Sequence, residues 1–225
     1  MDKDDRKDIF KQGIDYSYIS LISQKLRVGI IGGGKAGEIK AKHFVKSKCY
    51  VEVLSKTFSK GIIELGKCSQ KFLKLIDEEF NYKFMCDKHL IIIAVDDEIL
   101  KSEIKKYCNE NYKIYIDSSD FSQGMGVIPV QRSTKNVTFA LNTQYGNPKG
   151  AVFLSNKVES LIKEYDSFIE FIGKIRTKAK GMKDYKDDII EFVARDEFRK
   201  AFDEGKSEEK LRLNFPKDIV DYLLL

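Results

Sequence analysis

The sequence predicts an α/β fold: a parallel sheet at the N-terminal end, a small β region after it, and a helical C-terminal part. Three observations predict it. The run from Arg27 to Lys46, RVGIIGGGKAGEIKAKHFVK, goes from a β-branched apolar stretch (Val28, Ile30, Ile31) through a glycine turn into a segment whose apolar residues Ile39, Ala41, Phe44 and Val45 recur at helical spacing. His89-Leu90-Ile91-Ile92-Ile93-Ala94-Val95 is a continuous apolar run, the pattern of a strand covered on both faces. From Asn147-Pro148, an N-cap and first helical residue, the chain is helical in pattern to its end.

The glycines satisfy G-x-G-x-x-G at Gly32, Gly34 and Gly37, with Gly33, Lys35 and Ala36 between them. Between a strand and a helix this is the dinucleotide-binding turn of a Rossmann-type sheet. The glycines serve a tight bend, an unobstructed backbone near the pyrophosphate and close helix packing. The helix N-terminus offers free N–H groups to phosphate. The alternative is a glycine-rich turn that binds nothing.

Composition limits the function classes. A chain of 225 residues with 42% hydrophobic content is long enough for one large domain or two modest ones with a real core. It has no run of about 18 apolar residues, and the first residues, MDKDDRKDIFKQ, are charged where a signal peptide is apolar. A soluble, cytoplasmic protein without a membrane segment is expected. Forty Lys and Arg against 35 Asp and Glu give a mildly basic chain without a basic stripe interleaved with aromatics. That pattern fits an anionic small ligand better than nucleic acid. Cys49, Cys68, Cys86 and Cys108 form no C-x-x-C pair and are expected to be reduced and mostly buried.

In chain order, Met1 to Gly13 reads as a frayed segment or a short surface helix. Tyr16 to Ile22 is apolar enough to pack against the sheet. Tyr50 to Leu54 is a second strand, and at its carboxyl end the ribose-reading position is offered by Ser55, Lys56 and Thr57. No acid stands there, and Glu52 lies inside the strand. NAD and NADP both stay open, with Lys56 leaning towards a 2′-phosphate. A helical region from about Ile62 to Phe80 presents Ile62, Ile63, Leu65, Phe72, Leu73, Leu75 and Ile76 on one face. The apolar strand at Leu90 ends in Asp96-Asp97, where Asp97 either caps the helix from Glu98 to Asn109 or faces a cofactor. Lys113 to Ile116 is a further strand, closed by Asp117. Two short β runs follow, Val127 to Val130 and Val137 to Leu141, separated by the polar Gln131 to Asn136, before the long helix from Pro148. Breaks are expected near Gly181 and Gly205, and Pro216 opens a last short helix.

The order GGGKAG, VEVLSKT, IIIAVDD, YIDSSDF, VIPVQRS and ALNTQYGNP resembles the precorrin-2 dehydrogenases of sirohaem biosynthesis, including the dehydrogenase module of sirohaem synthases. The resemblance covers about Tyr16 to Lys180. It implies a Rossmann domain over 1–117, a dimerisation region over 118–147 and a helical domain over 148–225, assembled as a homodimer. It implies NAD-dependent oxidation of precorrin-2 to sirohydrochlorin, with ferrous iron insertion as a second activity in some members. Position by position, Asp117 takes the place of the family's essential aspartate. Lys35, Ala36, Lys56 and Thr57 fall on its nucleotide contacts. Asn142, Thr143, Gly146 and Pro148 represent the element facing the tetrapyrrole. The family's usual Thr-Asp-Asp is Val95-Asp96-Asp97 here, its following Asn is Lys101, and its Pro after the aspartate is displaced to Pro129.

The chemistry agrees with these residues. Oxidising a reduced tetrapyrrole removes a hydride and a proton, so a nicotinamide needs a carboxylate nearby as base. Asp117 is that candidate, although on residue type alone it reads as the start of an Asx turn. Arg132 is a candidate for holding the substrate's carboxylates, as are Lys101, Lys135 and Lys149. His43 and His89, the only histidines, make no evident metal set, so iron insertion would need Asp117 to take a pyrrole proton or to meet the metal itself. A nucleotide-sensing module without catalysis is the reading from a different class.

Overall fold

The computed structural model describes residues 13–225, so the segment 1–12, expected as frayed chain or a surface helix, lies outside the described residues. The chain divides into two compact units, Tyr16–Ile128 and Pro129–Leu225, the second joined by residues 13–15.

In the first unit β1 (Arg27–Ile31), α1 (Lys35–Lys46), β2 (Tyr50–Leu54), α2 (Lys60–Cys68), β3 (Leu73–Ile76), β4 (Leu90–Ile93), α3 (Glu98–Glu110) and β5 (Ile114–Asp117) follow in turn. The five strands form one sheet in the order β3-β2-β1-β4-β5, every pairing parallel. Its two faces explain the uninterrupted apolar runs. Val28, Ile30, Val53 and Ile92 pack against Ala41, Phe44 and Val45 of α1 and Ile62 of α2. Ile31, Leu54, Ile91 and Ile93 pack against Ile104 and Cys108 of α3 and against Phe84 and Met85. A strand such as β4, fully buried along its length, therefore has no polar face to alternate with.

Two expectations change here. The helix expected to continue to Phe80 stops at Cys68, and Leu73–Ile76 is strand β3, with Val51↔Leu73 and Val53↔Leu75 in register. Leu73-Lys74-Leu75 alternates apolar and polar as an edge strand does, but the apolar residues of α2 just before it extend the helical spacing through the same window. Tyr16 to Ile22 does not pack on the sheet: Tyr18, Ile19, Leu21 and Ile22 are exposed. Helices already cover both faces of the sheet. The unit also runs past Asp117, because the Met125 and Gly126 N–H groups return to the Tyr115 carbonyl and Ile128 packs on the sheet core.

The second unit begins with an antiparallel hairpin, β6 (Val130–Ser133) and β7 (Thr138–Leu141). Gln131 to Ser133, expected as the connection, belong to β6. Gln131 and Ser133 are exposed and alternate with half-buried Val130 and Arg132, which a two-stranded hairpin tolerates. Asn147 caps α4 (Pro148–Ala179) by accepting the Gly150 N–H at 2.8 Å, with Pro148 at the first helical position. Asp166 of α4 accepts from Thr134 Oγ1 and from the Asn136 N–H and Nδ2, fixing the hairpin turn to the helix. The short helices α5 (Lys186–Val193), α6 (Asp196–Asp203), α7 (Ser207–Arg212) and α8 (Lys217–Leu224) close a core of Phe168, Ile175, Ile189, Phe198, Leu211 and Val220. Of the free cysteines, Cys49 and Cys108 are buried, while Cys68 and Cys86 are exposed, against the expectation that most are inside. No helix among the described residues is long and apolar enough to cross a membrane.

Candidate active site

All five strands of the first unit run the same way, so their carboxyl ends share one edge. The connections run outward from β1 through β2 to β3 on one side and through β4 to β5 on the other. The crevice between β1 and β4 is therefore the switch point at which open α/β sheets bind ligands. On that edge stand the glycine turn after β1, Ser55 to Thr57 after β2, Asp96-Asp97 after β4, and Asp117 at the end of β5.

The four glycines have distinct physical reasons. Gly32 has φ +114°, and a Cβ there would lie 2.2 Å from the Ala94 carbonyl oxygen. A Cβ at Gly33 would lie 2.2 Å from Thr57 O, and one at Gly37 2.1 Å from Gly32 O. These three are demanded by the protein's own backbone. At Gly34 a Cβ would meet nothing within 4 Å. Gly34 is also the N-cap of α1 and supplies no capping side chain, so the first-turn N–H groups are left for an external anion. Open space beside uncapped N–H groups fits a dinucleotide pyrophosphate.

Glu38, buried in the first turn of α1, holds this turn to the next loop. It accepts from Lys42 Nζ at 2.6 Å, Ser59 Oγ at 2.8 Å and Lys35 Nζ at 3.2 Å. Lys42, Ser59 and Lys35 hold its carboxyl at about 2 against the opposing effect of burial. Ser59 caps α2 through the Ile62 N–H, and its own N–H donates to Gly33 O at 2.8 Å. The loop carrying Ser55, Lys56 and Thr57 is thus tied at its end to the glycine turn. Lys56 and Thr57 are exposed, and Ser55 Oγ accepts weakly from the Thr57 N–H at 3.4 Å. Glu52 is ion-paired with Lys88 at 2.8 Å within the sheet, away from the ribose-reading position.

Asp97 caps α3, accepting the Ile99 and Leu100 N–H groups at 2.9 and 3.1 Å, while Asp96 is exposed beside it. Asp117 is 4% exposed. Its Oδ1 accepts from Ser119 Oγ at 2.7 Å, Ser119 N–H at 2.8 Å and Asp120 N–H at 3.1 Å. Its Oδ2 faces Lys105 Nζ at 2.7 Å. Burial alone would raise the carboxyl's pKa, but Lys105, the Ser119 hydroxyl and the two N–H groups together bring it down to about 2. The Asx turn and the buried ionised acid are the same residue. Lys101, a candidate for substrate carboxylates, is buried and donates to Glu98 Oε1 at 2.8 Å and Ser119 Oγ at 2.9 Å. It is committed inside the protein.

The remaining substrate-side residues predicted from sequence lie on the second unit. Arg132 bonds Asn156 Oδ1 at 3.0 and 3.2 Å and faces Glu159 at 3.5 Å. Thr143 Oγ1 accepts the Asn147 N–H at 2.8 Å, and Gly146, at φ +63°, completes that turn beside half-buried Asn142. Lys135 pairs with Glu170 at 2.7 Å, and Lys149 is exposed. His89 Nδ1 accepts the Arg27 N–H at 3.1 Å. His43 is partly buried, and burial, then Lys40 and Lys46, push its pKa down. Glu38, Ser59, Lys105 and Ser119 were not singled out from sequence. Ser59 had a signal, a serine just before a helical run; Lys105 had none, because nothing local in LKSEIKKY sets it apart from the adjacent Lys106.

Comparison with known proteins agrees with this geometry. The family described as "Putative NAD(P)-binding" matches residues 19–129, the whole first unit but for its first three residues. A protein of Methanocaldococcus jannaschii named "Putative precorrin-2 dehydrogenase" is 32% identical over 160 residues, covering 67% of this chain and 74% of that one. Siroheme synthase 1 of Klebsiella pneumoniae is 23% identical over 149 residues, 66% of this chain but 31% of its own length. A solved structure titled "SirC, precorrin-2 dehydrogenase" shares the fold, with a TM-score of 0.66 and 20% identity, over 88% of this chain and 98% of that one. Given the Methanocaldococcus match on a sheet whose glycine turn is shaped for a dinucleotide, the chain belongs to the precorrin-2 dehydrogenase family.

Proposed function

We propose that this chain oxidises precorrin-2 to sirohydrochlorin with NAD, Asp117 accepting the proton. The observation that carries the reading is Asp117 itself: a buried, ionised carboxylate closing β5 on the same edge as the glycine turn. The reaction removes one hydride and one proton from the macrocycle. A bound nicotinamide supplies the hydride acceptor. Gly34 and the uncapped N–H groups of α1 would receive the pyrophosphate, with Lys35 and Ala36 flanking it, and Ser55, Lys56 and Thr57 would lie along the ribose. Asp117, ionised at neutral pH, takes the proton as general base. Asp96 is the acid left over for the cofactor side, since Asp97 is occupied as a cap. Asn142, Thr143 and Gly146 are assigned to the tetrapyrrole. Arg132 is the weaker assignment, because Asn156 and Glu159 already engage its guanidinium.

The test is an anaerobic assay with precorrin-2 and each nucleotide in turn, followed by absorbance. Sirohydrochlorin formed with NAD, and more slowly with NADP, is the expected result; a faster NADP reaction would assign Lys56 to a 2′-phosphate. Tight NADH binding with no turnover and no response to any tetrapyrrole would sink the enzyme reading in favour of a nucleotide sensor. We also assign a cytoplasmic homodimer. Phe153, Leu154 and Leu161 stand exposed on α4, apolar surface that a second copy would cover. Sedimentation at micromolar concentration should give twice the mass of one chain, and a monomer would exclude the assignment.

A further inference from the structure

Glu98, Lys101, Asp117 and Lys105 form a line of alternating charges at the carboxyl edge, joined through the Ser119 hydroxyl. Lys101 and Lys105 sit four residues apart and therefore share one face of α3. Each reaches one side of the carboxylate: Lys105 touches Oδ2, and Lys101 acts on Oδ1 through Ser119. With three donors on Oδ1, that oxygen has no room for a further proton. Oδ2 carries a single partner, Lys105. We propose that Lys105 is a positioning residue for the reaction, holding Asp117 as the ionised form with Oδ2 as the accepting atom, while Lys101 orients Ser119 to close off Oδ1. The inference rests on Asp117 being the base.

The surroundings give the carboxylate one direct counter-charge. Ile93, the register partner of Asp117 on β4, is apolar and fully buried. From the following loop come Ser119 and the Asp120 N–H, the Asp120 carboxylate being turned to Ser122. From α3 come Lys105 and Lys101, with Glu98 and Asp96 around the latter. Lys105 is the cation in direct contact. Without it, burial would be opposed only by the three donors on Oδ1, and the carboxyl's pKa would rise. The side chain of Lys105 is 19% exposed against 1% for Asp117, so a substitution there alters less packing than one at the acid.

The test is the pH profile of kcat/KM for Lys105→Met, Lys105→Arg, Ser119→Ala and Asp117→Asn, each with its NAD dissociation constant and melting temperature. Lys105→Met should raise the acid limb by about one pH unit or more, leave NAD binding unchanged, and be reversed largely by Lys105→Arg. An unmoved limb in Lys105→Met, with Asp117→Asn inactive, overturns the positioning role alone. Full activity in Asp117→Asn overturns the base assignment on which it rests. If Lys105→Met does not fold, Ser119→Ala decides: a smaller rise in the same limb supports the arrangement, and no rise overturns it.

Discussion

Asp117→Ala should reduce turnover of precorrin-2 by about 10²–10⁴-fold, the usual contribution of a positioned general base, while NAD still binds with nearly its parent affinity. The separation follows from the geometry. The proposed pyrophosphate site consists of backbone N–H groups of α1 and the open space at Gly34, none of which touches Asp117. The carboxylate's partners are Lys105, Ser119 and Asp120. Removing it leaves Lys105 beside an apolar strand end, so the variant should also melt lower than the parent. The loss of stability has a pH signature. The folded-state pKa is lowered to about 2 from an ordinary 3.8, so the stabilisation is complete above about 4 and fades as pH falls towards 2. The melting difference between parent and Asp117→Ala should therefore shrink over that window. Retained turnover at neutral pH would remove Asp117 from the mechanism.

Gly32→Ala should be the most damaging single methyl group in the first unit. The residue has φ +114°, which L side chains rarely adopt, and the new Cβ would meet the carbonyl carbon and oxygen of Ala94 at 2.6 and 2.2 Å. Those are backbone atoms, held because the Ala94 N–H donates to Ile31 O at 2.8 Å and the Gly32 N–H to Leu54 O at 2.9 Å. Neither β1 nor β4 can yield without losing ladder bonds. A loss of about 3 kcal/mol or more in urea denaturation is expected. Gly34→Ala is the control with the opposite outcome. Its methyl group meets no protein atom within 4 Å, so stability should stay within about 1 kcal/mol while NAD affinity falls. A Gly34→Ala variant that unfolds, or that binds NAD as the parent does, would contradict the division of roles among the glycines.

The strands β1, β2, β4 and β5 and the glycine turn were legible in sequence because each is a local pattern. Fully buried strands read as apolar runs, and a dinucleotide turn needs glycines at fixed spacing. Asn147-Pro148 was legible for the same reason, since cap and first-turn chemistry lies in adjacent residues. β3 was not legible. Its four residues carry too little alternation to stand out from the helix before them, and their pairing with β2 is a long-range fact. The partners of Asp117 were hidden in a different way. Ser119 and Asp120 are adjacent to it, but Lys105 approaches from the preceding helix, and only the crossover from α3 to β5 brings the two charges together. Lys101 shows the converse error: a lysine near a ligand edge reads as available, and burial commits it instead.

The bond from Ser59 to Glu38 has a consequence for the order of events at this edge. With the loops of the proposed phosphate and ribose sites fastened by Ser59 N–H to Gly33 O and Ser59 Oγ to Glu38, a nucleotide bound there would meet a socket with little freedom left to lose. Little conformational entropy is then lost on binding. On the proposed assignment such a socket would fill without help from the macrocycle, and the dinucleotide would load before the tetrapyrrole.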